Sequence, residues 1–514
     1  MDSVVKPAET VPAPSDKTST TPASGEGLRL ARIGPVLALA LTGTVLLSVG
    51  LFVGALWLLG FPVLTPVGSK GISLARLLDL LKLSFAVVAG VGGVIALVVA
   101  YRKQKVTEAA EHRQQAAEQR ADEAHRREAT KLFNERFSTA SDKLGHDSPA
   151  VRLAGVHALA GLADDAPTRE LRQTVIDVLC AYLRMPYKPD PGDDGDAEER
   201  LLFAGLREVR HTIARVITAH LRDGAAVSWR GHDFDFTGVV FDGGSFGGVE
   251  FSGGEVSFID ATFGSGTVWF GSARFSGGMI SFRRAKFSGG TVDFSGAAFS
   301  GGTVDFRHAV FSGGTVDFRH AAFSGGTVDF SDAAFSGGTV HFREVAFCGS
   351  TAYFGGAVFS GGTVDFSRAA LSEGTVYFGR AAFSGGTVYF GYVKFNGGTA
   401  DFGGAAFAGG TVYFGYVKFN GATVDFGSVK FNGATVDFGG AAFAGGTVRF
   451  CEAAFSGGTV HFREALFSGG TVDLREVSDW SHPPVLPNPV PATLLLSERS
   501  KMPGSRKGRN PRSL

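Results

Sequence analysis

Large apolar residues recur at fixed intervals through the C-terminal half of the chain. From Phe251 to Leu474 the intervals alternate between seven and five residues, and leucine replaces phenylalanine only at Leu371 and Leu474. Between Phe236 and Phe251 the interval is five residues throughout. A fixed period of this kind is typical of a solenoid, in which each repeat buries its apolar face only against its neighbours.

Each phenylalanine is preceded, two positions earlier, by a smaller apolar residue, as in Ala297 before Phe299 and Val304 before Phe306. This alternation predicts a short strand whose apolar pair points inward and whose intervening residue points outward. The glycines that follow are typical of tight corners, and their frequency excludes a helix. The predicted core ladder includes Phe294, Phe299, Phe306, Phe311, Phe318, Phe323 and Phe330.

The Ala-x-Phe and Val-x-Phe units, with the five-residue spacing from Phe236 to Phe251, resemble the pentapeptide-repeat family. The resemblance implies a right-handed four-sided β-helix, which is a β-solenoid. The seven-residue interval departs from the family pattern, and we interpret it as a bulged corner. One coil then takes two intervals of each kind, or 24 residues. The region 227–474 is therefore predicted to hold about ten coils.

Both ends of such a solenoid need a cap, because exposed strand edges leave N–H and C=O groups unpaired. We expect the helix before Trp229 to cover the N-terminal end. At the other end we expect the cap within residues 479–484, since the prolines there end strand pairing.

Two uncharged apolar runs precede the repeats. They follow a tail at 1–32 that is rich in Pro, Ser and Thr and is predicted to be disordered. Residues 33–61 and 83–101 are each long enough to span a bilayer as helices, and 62–82 form the loop between them. A cleaved signal peptide is the alternative for the first run, but its length and the second run argue against that reading.

The basic residues around these runs indicate an orientation. Five Lys and Arg residues lie just outside the two runs, against three in the loop. This bias predicts a multi-pass protein of the cell membrane, with two spans and with both termini and the solenoid in the cytoplasm.

The region between the second span and the repeats is predicted to be helical. Residues 102–135 are rich in Ala, Glu, Gln and Arg, which predicts a charged stalk with a weak coiled-coil signal. Residues 136–226 contain the runs VRLAGVHALAGLADD and RQTVIDVLCAYLR, which predict a small HEAT-like adaptor. With the apolar runs and the repeats, they resemble a group of actinobacterial membrane proteins. This resemblance implies a multi-domain organisation and no mechanism. Residues 475–514 form a Pro-rich and then basic tail.

The sequence predicts no catalytic, cofactor-binding or metal-binding residues, and therefore no enzyme. The three cysteines are far apart, and His308 and His320 are copied with their repeats. Residues 243–247 match the hydrolase pattern G-x-S-x-G, but only inside a glycine-rich corner with no helix predicted after it.

Outward polar positions carry carboxylates in several repeats. Some pentapeptide-repeat proteins mimic duplex DNA and bind DNA gyrase, which makes these residues a candidate surface. Twenty acidic against fifteen basic residues between Trp229 and Leu474 leave the acidic ladder partial, so a solvated face is the favoured interpretation. We expect the carboxylates to project from two opposite faces, pairwise one coil apart. They are Asp293, Asp305, Asp317 and Asp329.

In later repeats tyrosine and lysine take outward positions, and this combination suits protein–protein contact. The candidate residues are Tyr377, Tyr389, Tyr413, Lys394 and Lys418, with Tyr392 and Tyr416. The leading hypothesis is a membrane-anchored, non-enzymatic scaffold that presents a rigid β-solenoid to a protein partner. The alternative is a DNA-mimic regulator of gyrase or of another nucleic-acid enzyme. The expected partners are the bilayer and a protein, and nucleic acid itself is not expected.

Overall fold

The computed structural model describes residues 33–58, 74–188 and 190–497 of the 514-residue chain. The chain divides into two compact units, residues 1–124 and residues 125–514. Three predictions fall outside the described residues: the N-terminal tail, most of the predicted loop, and the basic end of the C-terminal tail.

Two long helices begin the described chain. Helix α1 spans Ile33–Leu58, and helix α2 spans Leu74–Leu144 and passes from the first unit into the second. Both contain segments that are long and apolar enough to cross a membrane, judged by length and composition. Helix α2 includes residues 74–82, which the sequence assigns to a loop, and it continues through the predicted stalk. It ends one residue before Gly145, a residue type that commonly ends helices.

Three shorter helices follow in the second unit: α3 (Pro149–Asp164), α4 (Arg169–Arg184) and α5 (Ala197–Leu221). The side chain of Thr168 caps α4 by accepting the Leu171 N–H, and that of Asp196 caps α5. The buried faces of these helices form one hydrophobic cluster with the interior of the solenoid, so they pack as its N-terminal cover.

The rest of the second unit is a β-solenoid built from short parallel strands, numbered in chain order. They form a 12-stranded first sheet, a 16-stranded second sheet and a 10-stranded third sheet. The first sheet contains β1 (Phe234–Asp235), β5 (Glu255–Ser257), β9 (Met279–Ser281), β13 (Thr303–Asp305), β17 (Thr327–Asp329), β21 (Thr351–Tyr353), β25 (Thr375–Tyr377), β28 (Thr399–Asp401), β31 (Thr423–Asp425), β34 (Thr447–Arg449), β37 (Thr471–Leu474) and β38 (Leu494–Leu496).

The second sheet collects two strand segments from most coils. Its members are β2 (Val240–Phe241), β3 (Gly244–Ser245), β6 (Thr262–Phe263), β7 (Thr267–Trp269), β10 (Lys286–Phe287), β11 (Thr291–Asp293), β14 (Val310–Phe311), β15 (Thr315–Asp317), β18 (Ala334–Phe335), β19 (Thr339–His341), β22 (Val358–Phe359), β23 (Thr363–Asp365), β26 (Ala382–Tyr389), β29 (Ala406–Tyr413), β32 (Lys430–Asp437) and β35 (Ala454–His461).

The third sheet takes one segment from each of ten coils. Its members are β4 (Glu250–Ser252), β8 (Arg274–Ser276), β12 (Ala298–Ser300), β16 (Ala322–Ser324), β20 (Ala346–Cys348), β24 (Ala370–Ser372), β27 (Lys394–Asn396), β30 (Lys418–Asn420), β33 (Ala442–Phe443) and β36 (Leu466–Phe467).

Strand register gives the length of a coil. Thr291 pairs with Thr315 in the second sheet, and Phe299 pairs with Phe323 in the third. Each pair is 24 residues apart, as the alternating intervals predict. The seven-residue intervals therefore fit inside a regular coil, and the chain makes about 11 coils, consistent with a pentapeptide-repeat fold. Residues that are register partners through successive coils form a column.

Phenylalanine rings fill the solenoid and stack along its length. Phe306 and Phe330 are fully buried, with ring centroids 4.6 Å apart and planes within 4° of parallel. Burial of each ring contributes roughly 1.5–3 kcal/mol, and stacking adds to this. The same burial holds for the predicted ladder, namely Phe294, Phe299, Phe306, Phe311, Phe318, Phe323 and Phe330.

Helix α5 and the segment after it cover the N-terminal end, as expected. The Thr218 hydroxyl on α5 donates to the Ser245 carbonyl at 2.6 Å, and Trp229 is completely buried, with its Nε1 donating to Asp164 on α3 at 3.0 Å. These bonds join two helices to the first coils.

The C-terminal end extends further than the repeat pattern predicts. Trp480 stacks on Phe455 at 5.4 Å, and β38 adds a last parallel strand beside β37. The prediction that strand pairing ends within residues 479–484 is therefore wrong: pairing continues to Leu496, because tryptophan and leucine there replace the missing phenylalanine and valine.

Candidate interaction surface

The acidic positions are part of the coil structure. Asp305 and Asp317 are buried, and each accepts the backbone N–H of the residue two positions later, at 2.9 Å. Each also accepts from the guanidinium of that residue, Arg307 or Arg319. The expectation that these two carboxylates project freely into solvent is therefore wrong, because they fasten the corner that follows the strand.

The ionisation of Asp305 reflects these bonds. Burial raises the pKa of this carboxyl group, but the side-chain and backbone hydrogen bonds from Arg307 lower it by more, so the pKa lies below its usual value. Asp305 is thus charged at neutral pH, and Arg307 largely neutralises its field.

The four predicted carboxylates lie in two columns, one in the second sheet and one in the first. Asp293 pairs with Asp317 in the second sheet, whereas Asp305 pairs with Asp329 in the first. Asp293 and Asp329 also accept a corner N–H each. The pairwise spacing of one coil agrees with the prediction, but the four carboxylates do not form one continuous acidic face.

The predicted tyrosines also fall on two sheets. Tyr377 stacks with Tyr353 in the first sheet at 5.0 Å, while Tyr389 stacks with Tyr413 in the second at 5.1 Å. Tyr353 was not among the residues predicted from the sequence, although its spacing of 24 residues from Tyr377 was the available signal.

A second stacked pair follows Tyr389 and Tyr413 by three residues in the sequence. Tyr392 and Tyr416 occupy equivalent corners one coil apart, with ring centroids at 5.1 Å and planes within 9°. Both are more than half exposed, and both adopt a positive φ that is uncommon for a bulky residue. The ring of Tyr416 lies over Gly440, so a side chain at position 440 would overlap this ring.

The predicted lysines follow these corners directly. Lys394 and Lys418 are exposed register partners in the third sheet, on strands β27 and β30. These three pairs, which follow one another closely in the sequence of two consecutive coils, are together called the Tyr–Lys corner. They are Tyr389, Tyr392, Lys394, Tyr413, Tyr416 and Lys418.

Tyrosine at these positions removes a stabilising bond. In the same column, Asp365 and Asp437 accept the N–H of the residue two positions later, at 2.8 Å each. Tyr389 and Tyr413 cannot do so, because the tyrosine hydroxyl lies at the far end of a rigid ring and cannot turn back to the N–H two residues later. Each replacement gives up a bond worth about 1 kcal/mol.

A second polar cluster joins the helices to the first coils. Asp242 is buried, and its carboxylate contacts the Tyr187 hydroxyl at 2.9 Å, His211 Nε2 at 3.0 Å and Arg207 Nε at 3.2 Å. Burial raises the pKa of Asp242, but hydrogen bonds from His211 and Tyr187 outweigh it, so the pKa is lowered. Burial and the bond to Asp242 raise the pKa of Tyr187. The cluster is satisfied internally, and its residues are too far apart in sequence for a motif to reveal it.

The remaining candidate chemistry does not converge. Ser245 of the G-x-S-x-G match lies in strand β3, and its hydroxyl accepts the Gly247 N–H. His308 and His320 lie 12 residues apart, half a coil, and therefore on different corners. Within residues 33–58, 74–188 and 190–497, no group of three or more metal-ligating side chains comes together.

Comparison with known proteins identifies no family for this chain. No protein-family model, curated protein or solved structure matches this chain.

Proposed function

We propose that this protein is a membrane-anchored, non-enzymatic scaffold that presents its β-solenoid to a protein partner. The observation that carries this proposal is the Tyr–Lys corner. Four exposed tyrosines and two exposed lysines lie on two consecutive coils, and in the column of Tyr389 and Tyr413 the two adjacent coils carry corner-stabilising aspartates. Sequences that give up local stability at an exposed site commonly do so for binding.

The packed interior of the solenoid supports the proposed role as a scaffold. The phenylalanine stack and the shared core with α3–α5 make a continuously packed body, which holds surface residues of successive coils in fixed register. Because the solenoid already holds the backbone of these positions in place, binding there does not require a loop to be ordered.

The anchor is supported by the apolar helices. Large side chains such as Trp57 on α1 and Leu97 on α2 are more than two-thirds exposed in the chain by itself. Exposed apolar surface of this extent on the uncharged segments of these helices is unfavourable in water and favourable in a bilayer. The excess of basic residues outside the two apolar runs favours a cytoplasmic solenoid, which completes the proposal.

DNA mimicry is not favoured. A mimic of duplex DNA needs a dense and free acidic surface, whereas Asp305 and Asp317 are buried and paired with arginine. The acidic columns also alternate with tyrosine, histidine and arginine along the same sheets.

Fractionation and topology reporters on the full chain test this function. We expect the protein to stay with membranes after alkaline extraction. A reporter fused after Leu514 that works only in the cytoplasm is expected to be active, and one that works only outside is expected to be silent. Release into the soluble fraction would overturn the anchor, and activity of the external reporter would overturn the orientation.

A further inference from the structure

We propose that the Tyr–Lys corner binds an acidic peptide segment of the partner, with a side-chain carboxylate held between Lys394 and Lys418. This inference rests on the proposed scaffold function and specifies the chemistry of its partner. The two lysines face each other across neighbouring strands, and neither makes an ion pair or a hydrogen bond within the part of the chain that the structure describes. Like charges in this arrangement repel, and an external anion relieves the repulsion.

Other positions on the solenoid show how charges one coil apart are normally accommodated. In the column of Lys394, Glu250 and Arg274 are register partners and form an ion pair at 3.0 Å. At a corner, Arg284 pairs with Asp260 at 2.6 Å. The lysine pair has no opposite charge of this kind within the described residues, so its position is suited to an anion from another molecule.

Like-charged carboxylates also occur one coil apart, but they are compensated. Asp401 and Asp425 are register partners, and each accepts a backbone N–H from its own corner, at 2.6 and 2.8 Å. The lysine ammonium group has only donors. Within the part of the chain that the structure covers, neither Lys394 nor Lys418 donates a hydrogen bond to an acceptor.

The spacing of the lysines suits one carboxylate group. Neighbouring strands lie about 4.8 Å apart, so two ammonium groups on facing positions can contact the two oxygens of one carboxylate. Tyr392 and Tyr416 precede the lysines by two residues on the same two coils and expose aromatic surface. Aromatic surface beside a basic pair is suited to an acidic side chain followed by an apolar one.

The same geometry argues against single-stranded nucleic acid. Binding of bases to aromatic side chains requires open ring faces. Here Tyr389 faces Tyr413 at 5.1 Å, which leaves no room for a base between the rings. Asp365 and Asp437 border this tyrosine pair on the two adjacent coils and would repel a phosphate backbone that follows the column. A short acidic segment that crosses two coils avoids both carboxylates.

Peptide binding to the full chain in nanodiscs tests the proposal. The probe is a short labelled peptide of Asp, Glu and Leu, compared with the same peptide carrying Asn and Gln and with a labelled oligothymidine. The test variant is K394Q/K418Q. The matched control is K286Q/K430Q, which removes two exposed solenoid lysines from the second sheet.

We expect the acidic peptide to bind the wild-type and control proteins and to bind K394Q/K418Q at least about fivefold more weakly, a difference that added salt reduces. The uncharged peptide should not bind. Equal weakening in both double variants would overturn the proposal, as would tighter binding of oligothymidine than of the peptide. If no acidic peptide binds but cross-linking from position 392 still yields a discrete partner, the scaffold function stands and the acidic chemistry fails.

Discussion

Tyr389 and Tyr413 stack at 5.1 Å in a column whose adjacent members are Asp365 and Asp437. The two aspartates fasten their corners by accepting a backbone N–H, and the two tyrosines leave the N–H groups of Gly391 and Gly415 without that acceptor. Two adjacent coils have thus exchanged a local stabilising bond for exposed aromatic surface, which is the basis for assigning a binding role to this part of the solenoid.

Replacing these tyrosines with asparagine tests that exchange. Asparagine can accept the corner N–H as aspartate does, without adding charge to the column. We therefore expect Y389N/Y413N to change the local free energy of opening by no more than about 1 kcal/mol while it weakens partner binding. Hydrogen exchange on the flanking strands measures the opening.

The control for this prediction is Asp365→Ala, which removes the acceptor and places nothing there. It should destabilise its corner by about 1 kcal/mol and leave partner binding intact. If Y389N/Y413N proved more destabilising than Asp365→Ala, the tyrosines would be structural and the assignment would be wrong.

Adjacent glycines at one corner predict different tolerance of a side chain. Gly325 and Gly326 both have a positive φ, at 69° and 73°. A Cβ atom on Gly325 would meet no atom within 4 Å, whereas one on Gly326 would overlap the carbonyl oxygen of Gly302 on the preceding coil. We expect Gly325→Ala to cost about 1 kcal/mol through backbone strain alone, and Gly326→Ala to cost more because the coils must separate.

Hydrogen exchange of the strands on either side of residue 302 measures the difference in stability between the Gly325→Ala and Gly326→Ala variants. Equal protection in the two alanine variants would show that the coils do not approach each other as closely as the structure indicates.

The junction at Asp242 predicts a loss of protection in acid. Its folded-state pKa is lowered, so the stabilisation is present above the unfolded-state pKa of about 3.9 and is lost as the pH falls through the folded-state value. We expect hydrogen-exchange protection of α5 and the first coils to fall below about pH 4. In Asp242→Asn this pH dependence should diminish, with lower protection already at neutral pH.

Asp473 provides the comparison at the opposite end of the solenoid, because its pKa is also lowered, chiefly by a hydrogen bond from Arg475. Asp473→Asn should leave the acid response of α5 unchanged. A response of α5 that is the same in wild type and in Asp242→Asn would show that this carboxylate does not control the junction.

Much of the solenoid follows from the sequence, because spacing and inward direction are local properties of a strand. The alternating intervals predicted the 24-residue coil, and the runs VRLAGVHALAGLADD and RQTVIDVLCAYLR were predicted to be helical and lie in α3 and α4. The last coil was not predicted, since Trp480 and Leu494 break the phenylalanine and valine pattern although they occupy the same places.

The surface was less predictable. Alternation shows that Asp305 points away from the core, but it does not show that the side chain turns back to the backbone two residues later. Likewise, the contacts of Asp242 with Tyr187 and His211 join segments that only the folded chain brings together. The division of the tyrosines between two sheets became clear only from the strand register.

Photo-cross-linking in membranes of cells that produce the full chain tests whether the Tyr–Lys corner binds a protein. A photoreactive amino acid replaces Tyr392 in one variant and Arg380 in another, because both residues are exposed at corners of the same coil and share a positive φ. We predict a discrete cross-linked protein in the membrane fraction from position 392, lost when Lys394 and Lys418 are changed to Gln, and none from position 380. The same products from both positions, or none from position 392, would show that the Tyr–Lys corner is not the binding surface.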